Sequence, residues 1–185
     1  MNQIRELVFR DEIRVREIPS PEAIAPRSFA LAGDVFADQT DTDSPHGSGR
    51  FILLHDPQSA ENWGADFRVV CFAQAPLERE IGEDSLLAEV AWSWLMDGLE
   101  RRNARFTAPA GTATKTLSAG FGSLQSQGTG AQIELRASWT PTGDDFGAHA
   151  QGWAELLCLL AGLPEQADGV SSIKERRVAR ESRTQ

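Results

Sequence analysis

The sequence predicts an α+β domain built on a five-stranded, largely antiparallel sheet, in the order helix, three strands, helix, two strands, helix. Three observations carry this. Apolar and polar residues alternate over short stretches around Phe29 and Ile133, the period of strands with one buried face. The first three strands follow one another with no helical period between them, as in an antiparallel meander. Two longer segments, from Asp84 and from Thr142, carry the three-to-four-residue apolar spacing of helices. At 185 residues, 41% of them hydrophobic, the chain can bury one core but not comfortably two. It divides into an amino-terminal segment (1–17), a single domain (18–164) and a flexible basic tail (165–185).

Residues 2–16 mix helical spacing (Ile4, Leu7, Val8) with a brief alternation (Ile13, Val15), and we read a short helix there. Pro19 and Pro21 end it, because proline denies helical geometry to the residue before it. The first strand follows, with Phe29, Leu31, Gly33 and Val35 on one face. The loop 37–49 is rich in Asp and Gly. Arg50–Leu54, RFILL, is a short apolar run that reads as a strand buried on both faces. Phe67–Gln74 is the third strand, entered through an Asn62-Trp63-Gly64 turn.

The clearest helix runs from Asp84 to Arg102. At about 100° per residue its apolar positions, Trp92, Trp94, Leu95 and Leu99 among them, cover roughly 240° of the circumference. Such a helix needs cover on two sides. The strand from Arg105 to Ser118 contains Pro109 and Gly111, which belong to a sheet edge or bulge. In the strand Gln132–Trp139, Ile133, Leu135, Ala137 and Trp139 alternate with polar residues, and the glycine-rich stretch 119–130 before it reads as a hairpin loop. The last helix opens at Thr142-Gly143-Asp144-Asp145, buries Phe146, Ala150, Trp153, Leu157 and Leu160, and stops at Gly162 and Pro164.

Composition narrows the function classes. With 27 carboxylates against 18 bases the chain carries −9, and because residues 171–185 are basic the rest is more acidic still. Such a body repels phosphate backbones, so nucleic acid is not an expected partner class. No stretch approaches the roughly 18 to 20 apolar residues of a membrane span, and the charged start MNQIRELVFRDEI is not a signal peptide, so we expect a cytoplasmic protein without a membrane partner. Cys71 and Cys158 read as buried, unpaired hydrophobes.

Motifs for chemistry are sparse. His46, His55 and His149 show no metal-ligand spacing, the glycine clusters lack any phosphate-binding fingerprint, and we expect no metal, no cofactor and no catalytic residue. His55-Asp56 is the best acid–base candidate, though a turn before Pro57 explains the pair more simply. The tryptophans are the oddity. Trp92 and Trp94 point about 160° apart on one helix, so a single sheet face cannot cover both.

The segments GRFILLHDP (49–57), FRVVCF (67–72), LLAEVAWSWL (86–95), ELRASWTP (134–141) and LLCLLAGLP (156–164) together resemble an uncharacterised actinobacterial family, a domain of unknown function. The resemblance spans about residues 18 to 164 and implies no activity. By element order alone the chain is similar to the type III secretion chaperone-like fold, whose members are small acidic proteins that dimerise and bind polypeptides. The reading is therefore a non-enzymatic protein-binding or chaperone-like module acting on an unidentified protein partner, with Trp92, Met96 and Leu99 as the face of a homodimer. The alternative is an enzyme or small-ligand protein with a pocket near His55, Arg136 and Trp139. Trp94 and Trp139 are expected in the core.

Overall fold

The computed structural model describes residues 2–21, 24–36, 45–125 and 130–165. Residues 166–185 of the basic tail, 37–44 of the acidic loop and 126–129 of the glycine-rich hairpin stretch lie outside the described residues. Along the chain run α1 (Asn2–Arg5), β1 (Ile13–Ile18), β2 (Arg27–Val35), β3 (Gly47–His55), α2 (Ala60–Trp63), β4 (Phe67–Leu77), α3 (Arg79–Glu83), α4 (Leu87–Arg101), β5 (Phe106–Ser118), β6 (Gly130–Pro141) and α5 (Phe146–Leu160). The strands form one antiparallel sheet in the order β1-β2-β3-β4-β6-β5.

The α+β class stands, but the sheet has six strands, not five. The additional strand is β1, in the segment read as a helix and set apart from the domain. Its alternation is only Ile13 and Val15, too short to outweigh the helical spacing upstream. Pairing Ile13 with Val35 and Ile18 with Ala30 decides the outcome. Ile4 and Ile13 are buried in the common core, and Arg5 ties α1 to β1 through two 2.8 Å hydrogen bonds to the Glu17 carboxylate. The element order behind the comparison with secretion chaperones thus gains a strand ahead of the meander.

One face of the sheet, here called inner, carries Phe29, Phe51, Leu53, Val69, Cys71, Leu135 and Trp139, all buried. Helix α5 lies across it. From Gly147 to Leu160 every residue of α5 except Gln151 is buried, because the sheet is beneath it, α4 is on one flank and α1 is on another. The paired glycines Gly33 and Gly49 open a trough for it: a Cβ on Gly33 would meet the Trp153 ring at 2.9 Å, and one on Gly49 would meet Leu157 Cδ2 at 2.8 Å. Trp153 donates from Nε1 to the Phe72 carbonyl at 3.1 Å, so this tryptophan is both wedge and hydrogen-bonded anchor.

The ends of α5 follow its sequence. Asp145 is the N-cap, accepting from the Ala148 amide at 3.1 Å. At the other end Gly162, at φ 82°, lets its own N–H reach the Leu159 carbonyl and that of Leu163 reach the Cys158 carbonyl, a Schellman closure. Asn103, at φ 54°, closes α4 in the same way, with the Ala104 amide donating to the Leu99 carbonyl.

Two expectations about α4 change. Its buried residues are Leu87, Ala91, Leu95, Gly98 and Leu99, a narrower stripe than the apolar arc implied, with Val90 and Leu86 exposed. Trp94 is half-buried rather than core, whereas Trp139 is wholly buried. The cover for α4 comes from the same chain. It crosses α5 at Gly98 and Gly152, where a Cβ on Gly152 would meet Leu99 Cδ2 at 2.9 Å and the Leu99 amide nitrogen at 3.2 Å. A second copy is therefore not needed to bury it.

Candidate interaction face

Strand geometry sends alternate side chains to opposite faces, so the residues between the core positions define the outer face of the sheet. The helices α3, α4 and α5 pack on the inner side. The short α2 turn meets the outer face at one end only, where the Thr140 hydroxyl donates to the Trp63 carbonyl. Across the middle of the outer face, register alone lines residues into transverse rows.

One row reads Arg16, Ala32, Arg50, Phe72, Arg136, Thr112, one residue from each strand. Beside it runs an apolar row, Ile18, Ala30, Ile52, Val70, Ser138, Ala110, in which Ile52 and Val70 stand directly opposite each other. On the other side lies a polar row, Arg14, Asp34, Ser48, Gln74, Glu134, Thr114. Here Gln132 donates to Gln74 at 3.0 Å, and Gln74 to Ser48 at 3.1 Å. The rows enclose a shallow groove of about 550 Å³.

The charges on this face run against the chain's balance. Among the described strand residues, Arg14, Arg16, Arg50, Arg68 and Arg136 occupy outer positions against Asp34 and Glu134. Arg16 pairs with Asp34 at 2.5 Å and Arg136 with Glu134 at 2.6 Å, while Arg136 also sits over the Phe72 ring at 5.8 Å. Arg50 is exposed and has no hydrogen-bond or ion-pair partner among the described residues. Arg68 is held by neutral oxygens, donating to Ser138 at 2.7 Å and Thr140 at 2.9 Å, and burial lowers its pKa.

The residues singled out from sequence are not brought together. Trp139 is on the inner face, buried, with Nε1 donating to His149 Nδ1 at 3.0 Å. Arg136 projects from the outer face of the same strand. His55 ends β3 on the inner side, its ring 4.6 Å from that of Phe67. Asp56 serves instead as the N-cap of the 3-10 turn Pro57–Ser59, accepting from the Gln58 amide at 3.0 Å. These positions do not line one cleft. The other set is divided too: Leu99 is fully buried against α5, while Trp92 and Met96 are half-buried, and the Trp92 ring fills the space left by Gly111 on β5.

Neither Arg50 and Ile52, whose run RFILL reads as buried on both faces, nor Val70 and Phe72 of the next strand stand out in the sequence as site residues. In the structure Phe51 and Leu53 are buried, whereas Ile52 is half-buried and Val70 is 36% exposed. The signal was available in parity: Arg50 and Arg136 each sit between two buried positions.

Among the described residues, no group of three His, Cys, Asp or Glu side chains is placed to hold a metal, and no helix is long and apolar enough to cross a membrane. Residues 1–171 match the family described as a protein of unknown function, DUF3000. The chain belongs to the DUF3000 family. Nothing among the curated proteins and nothing among the solved structures matches it. As no activity comes with the DUF3000 family description, any functional reading of this member rests on its outer face.

Proposed function

We propose that this chain is a non-enzymatic protein-binding module that takes its partner on the outer face of its sheet. The observation that carries the reading is the pair of adjacent rows, one apolar around Ile52 and Val70, one built from Arg50, Phe72 and Arg136. Apolar side chains left half-exposed beside arginines are the composition of a recognition surface, because they supply burial while the guanidinium groups supply direction. The separation of His55, Arg136 and Trp139 onto different faces supports a binding role over a pocket built from those three.

Bait capture from a lysate of the native host tests it. The full chain, a Val70→Asp/Arg50→Glu form and a Val90→Asp control on α4 are immobilised side by side. A protein retained by the wild type and the control but lost by the face variant is the expected result. Retention by the face variant with loss by Val90→Asp would move the interface to α4 and contradict the proposal.

A further inference from the structure

Resting on that reading, we infer that the partner presents an acidic, extended polypeptide segment running across the strands, its carboxylates meeting Arg50 and Arg136 and its apolar side chains lying over Ile52 and Val70.

Charge complementarity selects this occupant. Among the described strand residues the outer face carries five arginines against two carboxylates, on a chain whose net charge is −9, so this surface is locally more basic than the chain's balance. A second copy is a poor occupant, since a two-fold contact of this face with itself would set arginine against arginine. Nucleic acid is disfavoured as well. Phe72 is the one aromatic in the three rows, and among the described residues its ring has Arg136 near it at 5.8 Å while the neighbouring Phe36 ring is covered by Arg14 at 4.1 Å, so neither is an open ring face for a base. The aliphatic row of Ile18, Ile52 and Val70 accepts apolar side chains instead.

Spacing makes the inference specific. Arg50 and Arg136 lie two strands apart in the register, which at about 4.8 Å per strand is roughly 10 Å. A polyproline-II-type extended chain rises about 3.1 Å per residue with three residues per turn, so carboxylates at every third position stand on one side of it, about 9 Å apart, and match that interval. Arg16 lies two strands further from Arg50 and extends the same ladder. Arg50, with no hydrogen-bond or ion-pair partner among the described residues, gives up no existing contact to meet a carboxylate.

Fluorescence anisotropy with the full chain provides the test. The probes are a labelled peptide with Glu at every third position and Leu or Val between, the same peptide with Lys for Glu, the same with Gln for Glu, and a single-stranded oligothymidylate. The Glu peptide is expected to bind most tightly and to weaken as salt rises. Arg50→Glu and Arg136→Glu should each cost about tenfold or more in Kd, and Val90→Glu should change nothing. Circular dichroism confirms folding of each variant, and Arg50→Gln and Arg136→Gln repeat the comparison with a milder change. Equal binding of the Gln or Lys peptide would overturn the charge inference while leaving the sheet-face reading intact. Tighter binding of the oligothymidylate, or no binding of the Glu peptide, would also overturn it; the bait experiment judges the sheet-face reading separately.

Discussion

Inside the core, Trp139 Nε1 donates to His149 Nδ1 at 3.0 Å, and His149 is 1% exposed. An acceptor at Nδ1 places the neutral ring's proton on Nε2, an assignment that follows from the hydrogen-bond geometry. Burial drives the His149 pKa down to about 4, with Asp145 pulling weakly the other way. The unfolded chain, with an ordinary histidine near 6.5, therefore binds the extra proton first as pH falls. Stability should decline between about pH 6.5 and about pH 4, by on the order of 3 kcal/mol, and be unaffected by this group above that window. Urea denaturation across the window checks it. His149→Gln, which keeps an acceptor for Trp139, should remove most of the slope.

The tryptophans should separate in stability. Trp139→Ala empties a fully buried site and orphans His149, for a cost of roughly 3 to 5 kcal/mol. Trp94→Ala, at a half-buried position, should cost about half as much or less. Chemical denaturation of the two variants with equal m-values decides the order; equal losses would place Trp94 in the core after all.

Where α4 crosses α5, Gly152→Ala gains helix propensity, about 1 kcal/mol, but sets a methyl 2.9 Å from Leu99 Cδ2 and 3.3 Å from the Gly98 carbonyl carbon. Backbone cannot yield as a side chain can, so overpacking of about 1 to 3 kcal/mol should outweigh the gain and lower Tm. Gly143→Ala, with nothing within 4 Å of the added methyl, is the neutral control.

What could be read in the sequence follows how much each element depends on its own residues. The alternation from Ile133 to Trp139 and the stop at Gly162 are local signals, and β6 and the end of α5 stand where those residues put them. The strand β1 has little local signal, since its place depends on pairing with β2 residues such as Val35. The apolar run at Arg50–Leu54 shows the opposite problem. Its periodicity cannot distinguish burial on both faces from burial on one with a half-open apolar row on the other. Arg136 and Trp139 are three apart on one strand, an odd separation that sends them to opposite faces, so strand parity rules out a shared pocket even without coordinates.

Thiol chemistry should report the same packing. Cys71 and Cys158 are free and buried, and desolvation pushes their pKa values up to about 12 and about 11. Little thiolate exists at neutral pH, so labelling of the native protein should be slow and should accelerate on unfolding. Fast labelling of either would contradict its burial.

The central claim is that this protein binds through the outer face of its sheet. Methyl-detected NMR of the full chain, titrated with the Glu peptide or with a captured partner, tests it most directly, because Ile52 and Val70 report on that face and Leu86 and Val90 on α4. The account predicts saturable shifts at Ile52 and Val70 with Leu86 and Val90 unmoved. Shifts confined to Leu86 and Val90 would contradict it.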